Sequence, residues 1–90
     1  MRRTLQIRRS ALSVPANIAE GFGLGTRPQS IRGLRIALGS ALELQTHLFI
    51  AASLELLPHQ DAGRLDAELH EVIAMLIGLL KSKGAGLERV

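Results

Sequence analysis

Residues 13–29 read SVPANIAEGFGLGTRPQ, and the parsing of this stretch decides the architecture. A proline sits inside an apolar pattern of helical period. Glycines then fall at alternate positions, Gly21, Gly23 and Gly25, followed by Thr26-Arg27-Pro28-Gln29. A nucleotide-phosphate loop needs G-x-x-x-x-G-K-[ST] between a strand and a helix, and a dinucleotide fingerprint needs G-x-G-x-x-G after a strand. Here no lysine follows the glycines and the segment before them is helical. The stretch therefore reads as a joint between two helices. Gly21 stands where a helix-ending C′ glycine is expected. Thr26 and Gln29 have the spacing of a capping box, and Pro28 in the first turn gives up an amide with no helical partner.

Working outward, helices are predicted at about 4–20, 27–56 and 61–82, with a tail at 84–90. In the first, Leu5, Leu12 and Ala19 recur at sevens, with Ala11, Ala16 and Ile18 filling the same side. This is the predicted buried stripe. Pro15 removes the amide that would bond the Ala11 carbonyl, so a kink is predicted, in preference to a restart capped by Ser13. The second helix carries Ile31, Leu34, Leu38, Ala41, Leu42, Leu48, Phe49, Ala52 and Leu56, with Ile36, Leu44, Ile50 and Leu54 on other faces. A helix apolar around most of its circumference is central or lies in an interface. Gly39-Ser40-Ala41 forms a small-residue patch for close helix approach. Pro58 ends this helix and Asp61 is the expected cap of the third. Leu65, Leu69, Val72, Ile73, Leu76, Ile77 and Leu80 give the third helix its core stripe, and Gly84 closes it. Acids near its start and Lys81 and Lys83 at its end suit the helix dipole. The expected fold is all-α: an up-down bundle, with three helices in a single domain spanning 1–90.

Composition agrees. Hydrophobic residues make up 47% of the 90, yet only Phe22 and Phe49 are aromatic, which favours helix over sheet. The absence of cysteine excludes disulfides, thiol chemistry and cysteine-ligated metals, and fits a cytoplasmic protein. No stretch reads as a secretory signal or a membrane span. Glu43/His47 and Asp66/His70 are pairs four apart, but a metal site needs three or four converging ligands. Ser10, Ser13, Ser40 and Ser53 have adequate helical explanations, and no nucleophile–base arrangement can be built from them. Asn17 and Glu20 are expected to satisfy backbone groups or a neighbouring helix. No catalytic residue, cofactor, metal or small-molecule substrate is therefore expected.

Charge is the stronger signal. Residues 1–42 hold seven arginines and one acid, a net +6, whereas residues 43–90 hold four basic and seven acidic groups, a net −3. Such asymmetry points to a polyanion or acidic partner at the basic end. Arginine pairs bidentately with phosphate, which lysine cannot do. Arg2, Arg3, Arg8, Arg9, Arg32 and Arg35 are the candidate nucleic-acid-binding residues, expected as a stripe rather than a compact pocket. With no aromatics interleaved, backbone contact to duplex DNA or structured RNA is expected rather than base stacking. The alternative is a protein–protein scaffold whose arginines meet the acidic half of a neighbouring subunit.

Particular strings carry a family resemblance: Gln6-Ile7-Arg8-Arg9, Ser13-Val14-Pro15-Ala16-Asn17-Ile18-Ala19-Glu20-Gly21, Leu34-Arg35-Ile36-Ala37-Leu38-Gly39-Ser40, and Glu43-Leu44 with Thr46. Over about residues 4 to 83 the chain resembles the four-helix bundle proteins encoded in intervening sequences of 23S ribosomal RNA genes, once labelled a ribosomal protein. The resemblance implies an up-down bundle that assembles into a homo-oligomeric ring, a pentamer, without catalytic residues. Related accessory proteins of diversity-generating retroelements bind nucleic acid on a basic outer surface. The family pattern has a further long helix before the segment that begins here near Thr4. Leaving five large apolar side chains uncovered would forfeit roughly 8–15 kcal/mol, so self-association or a longer natural chain is expected. Gly33 stands where the family usually has an aromatic, which implies weaker packing there.

Overall fold

The computed structural model describes residues 2–85, with side chains from Leu5 onward. It contains α1 (Arg2–Gly23), α2 (Arg27–Ser53) and α3 (His59–Ser82), and no strand among the described residues. The chain is an all-helical bundle in which α2 is the central member. It packs α1 on one side and α3 on another, while α1 and α3 do not pack on each other.

The two interfaces differ in chemistry. Between α2 and α3 lies an aliphatic core: Leu34, Leu38 and Ala41 meet Leu69, Leu76 and Leu80, with Val72, Ile73 and Ile77 partly buried beside them. Leu34, Leu76 and Leu80 are fully enclosed, each contributing roughly 1.5–3 kcal/mol of burial. Of the stripe predicted for the third helix, all but the half-buried Leu65 belong to this core.

Between α1 and α2 the contact is close and built largely on small and polar residues, with Val14 and Ile18 packed against the core beside them. The buried Ser10 donates from its hydroxyl to the Glu43 carboxylate at 2.7 Å, and the Ser13 and Ser40 hydroxyls share a hydrogen bond at 2.8 Å. A Cβ placed at Gly33 would lie 2.4 Å from the Asn17 carbonyl oxygen and 3.0 Å from the Gly21 Cα. One at Gly21 would lie 2.8 Å from the Gln29 carbonyl oxygen. Gly33 is therefore the closest-packed point of the helix pair, which corrects the expectation that it weakens packing. Ser40 and Ala41 also take part in packing, but Gly39 is exposed with nothing near it.

This geometry overturns the buried stripe predicted for α1. Leu5 is 52% and Leu12 69% exposed, and Ala11, Ala16 and Ala19 are exposed as well; of that set only Ile18 packs on the core. The side turned to α2 is Ser10, Ser13, Asn17 and Gly21, whose small side chains permit close approach and whose hydroxyls find partners across it. Bulky leucines would hold the helices at the usual 8–10 Å separation.

Helix ends differ from expectation in three places. Gly21 does not stop α1, which runs through Pro15 without a restart and on to Gly23. Gly25, at φ +79°, occupies the left-handed position, and its amide bonds to the Phe22 carbonyl. Next, α2 stops at Ser53 rather than Leu56. Glu55 adopts φ 57°, and the Leu56 amide bonds back to Ala51 while the Glu55 amide bonds to Ala52. That is a Schellman motif with glutamate where glycine is usual. Third, Asp61 does not cap α3: the helix begins at His59 after Pro58, and Asp61 lies in the first turn beside Arg64. Two expectations hold. Thr26 caps α2, accepting from the Gln29 amide at 3.3 Å, with its own hydroxyl donating to Gln29 Oε1 at 2.8 Å. Gly84 closes α3 at φ +76°, and Ala85, assigned to the tail, packs against the core. The rest of that tail lies outside the described residues.

Candidate nucleic-acid interface

The register of α1 on α2 fixes where the arginines stand. Ser10 pairs with Glu43, Ser13 with Ser40, and the Asn17 backbone lies against Gly33. Arg32 is then level with the end of α1 around Ile18 to Gly21, and Arg9 is level with Leu44. About ten residues of helix, roughly 15 Å, separate the two. Arg35 lies between these levels. The candidates thus follow the length of the helix pair and do not form a pocket.

Arg8, Arg9 and Arg32 are exposed, and none of them has an ion pair among the described residues. Arg35 is half-buried, with its Nε shielded from solvent. Neighbouring residues on a helix point about 100° apart, so Arg8 and Arg9 cannot share one face of α1; they straddle the ridge of Leu5 and Leu12. The helix begins at Arg2, and the side chains of Arg2 and Arg3 lie outside the described residues.

Beyond residue 42, Arg64 forms an ion pair with Asp61, and the imidazoles of His47 and His70 lie beside the carboxylates of Glu43 and Asp66. The Arg64–Asp61 pair neutralises part of the acidic half locally. In the basic half, Glu20 is the single acid, and it lines a cleft with Arg32. The two histidine pairs sit on helix faces as expected. His70 Nδ1 donates to the Asp66 carbonyl at 2.8 Å, leaving Nε2 to accept from Gln45 Nε2 at 3.3 Å across the α2–α3 contact. Among the described residues no three His, Cys, Asp or Glu are grouped to hold a metal ion.

Arg27 has a role that sequence reasoning missed. Its Nη2 donates to the Lys83 carbonyl at the end of α3, and the Lys83 ammonium sits 4.8 Å from the centre of the Phe22 ring. The joint between α1 and α2 is thereby tied to the far end of the chain. An arginine meeting the last carbonyls of a helix is favourable, but partners 56 residues apart leave no local signal.

Serines also matter more than expected, since Ser10, Ser13 and Ser40 join helices rather than serve their own. Asn17 meets its expectation: its carboxamide nitrogen donates to the Ser13 carbonyl at 2.7 Å and to the Ser13 hydroxyl at 2.9 Å. Among the described residues, no helix is long and apolar enough to cross a membrane.

Comparison with curated proteins and with solved structures gave no significant match. The family model of the 23S rRNA-intervening sequence proteins matches residues 1–78, and the chain belongs to that family.

Proposed function

We propose that this chain is a non-enzymatic, self-associating helical-bundle protein of the cytoplasm that binds the backbone of structured RNA or duplex DNA through its N-terminal arginines. One observation carries the reading: Arg8, Arg9 and Arg32 are exposed along α1 and α2 with no acid paired to them, while the acids gather on the other side of the sequence. Unneutralised arginines set along a rigid helix pair suit a ladder of phosphates. The membership in a family named for 23S rRNA is compatible with an RNA-related role.

Self-association rests on a separate observation. Leu5 and Leu12 on α1 and Met75 and Leu79 on α3 are exposed large apolar side chains. The apolar ridge of α1 in one copy therefore has an apolar match on α3 of another. Titrating labelled structured RNA with the wild type and with an Arg8→Ala/Arg9→Ala/Arg32→Ala variant tests the main proposal. Binding by the wild type and loss in a variant of unchanged oligomeric state supports it. Equal binding by both, or none by either, refutes it.

A further inference from the structure

We propose that the cleft at the crossing of α1 and α2 holds one unstacked guanine base of a bound RNA. This rests on the RNA-binding reading above and adds a base-specific element to it. The cleft, about 120 Å³, has opposite charges on its walls: Glu20 from α1 and Arg32 from α2. Neither makes an ion pair with the other or with any other described residue. Its floor is backbone, because Gly21 and Gly33 meet without side chains. That floor is stiff, since a single added methyl would collide with a carbonyl on either side. Leu24 and Ile36, both exposed, supply apolar walls.

The remaining polar groups are fixed in role. Both donors of the Asn17 carboxamide are used on Ser13, so Asn17 offers the cleft only an acceptor. Gln29 Oε1 accepts from the Thr26 hydroxyl, which turns its oxygen toward Thr26 and leaves its amide donors for the cleft. The lining therefore presents acceptors from α1, at Asn17 and Glu20, and donors from α2, at Gln29 and Arg32. A fitting ligand is flat, apolar on its faces, and carries adjacent N–H donors beside an acceptor. Guanine has this pattern: N1–H and the N2 amine suit a carboxylate, and O6 with N7 suits an arginine. Adenine would turn its N6 amine toward the arginine, donor against donor. An amino-acid zwitterion would match the charges, but it has no flat body for both Leu24 and Ile36. Unstacked bases read on their edges are the usual currency of sequence-specific RNA recognition.

The test is an amide-resonance titration with guanosine 5′-monophosphate in phosphate-free buffer, with ribose 5′-phosphate as the control for capture of the phosphate alone by the arginine stripe. Saturable shifts at Gly21 and Gly33 are expected. Inosine 5′-monophosphate, which lacks the N2 amine, and adenosine 5′-monophosphate should bind about tenfold more weakly or worse. Glu20→Gln, at an exposed position, should fold normally and lose the preference for guanine. No shift at these glycines up to about 10 mM ligand, equal binding of all three nucleotides, or displacement by glycine would overturn the proposal. Salt dependence of binding to structured RNA separates this failure from that of the underlying reading. Glu20→Gln should keep the wild-type slope, and loss of RNA binding by the wild type itself would remove both.

Discussion

Replacing Gly33 by alanine adds one methyl group where the two helices touch. The new Cβ would stand 2.4 Å from the Asn17 carbonyl oxygen. Ordinary contact needs about 1 Å more, and the obstacle is backbone on both sides, so the helices must separate. Overpacking of this kind costs about 1–3 kcal/mol. Separation also stretches the Ser10–Glu43 and Ser13–Ser40 bonds, each contributing roughly 0.5–1.5 kcal/mol. Against this, alanine is the better helix former by about 1 kcal/mol. A net loss of about 2 kcal/mol follows, lowering Tm by roughly 10 °C in a domain of this size. Gly39→Ala and Gly78→Ala are the matched controls, because both glycines are exposed within helices and have nothing within 4 Å. Each should gain about 0.5–1 kcal/mol. Thermal and urea unfolding followed by circular dichroism at fixed protein concentration measures all three. If Gly33→Ala proves as stable as the two controls, the close α1–α2 contact is not a feature of the folded protein.

Glu55→Gly relieves the left-handed residue that ends α2; it should raise stability by about 1 kcal/mol, whereas glycine at any exposed helical position lowers it. Ser10→Ala leaves the Glu43 carboxylate without its buried donor and should cost about 1 kcal/mol; in a double-mutant cycle most of that loss should vanish on a Glu43→Ala background. Leu12→Glu places a charge on the exposed ridge of α1; sedimentation velocity should show the assembly reduced to smaller species while helicity persists, and an unchanged sedimentation profile contradicts the proposed self-association.

The number, order and approximate extent of the helices were legible because glycine, proline and Thr26 punctuate the sequence at its joints. So was the α3 stripe, where seven aliphatic residues at helical spacing leave only one side to bury. The covered face of α1 was not. Leu5, Leu12 and Ala19 at sevens describe a genuine apolar ridge, but apolar periodicity says which residues share a side, not which side is covered within one chain. What chooses is the chance that Ser10, Ser13, Asn17 and Gly21 also share a side and find Gly33, Ser40 and Glu43 opposite. That matching spans some thirty residues of sequence and is invisible to any local pattern. Charge asymmetry singled out the arginines, of which Arg8, Arg9 and Arg32 are exposed; their role in binding is the proposal made above. The cleft was not foreseen, since Glu20 and Arg32 become neighbours only through the same matching.

The arginines bear the main claim, and the salt dependence of binding tests it most directly. The measurement is a titration of labelled duplex DNA, beside structured RNA, across a series of salt concentrations. It is made for the wild type and for the Arg8→Ala/Arg9→Ala/Arg32→Ala/Arg35→Ala variant. If four phosphates are neutralised, log K on the duplex should fall against log salt with a slope near −3.6, about −0.9 per phosphate. In a variant that retains its oligomeric state, the slope should collapse toward zero. A wild type that binds neither nucleic acid at low salt, or a variant that dissociates into monomers, would contradict the account and assign these arginines to contacts between subunits.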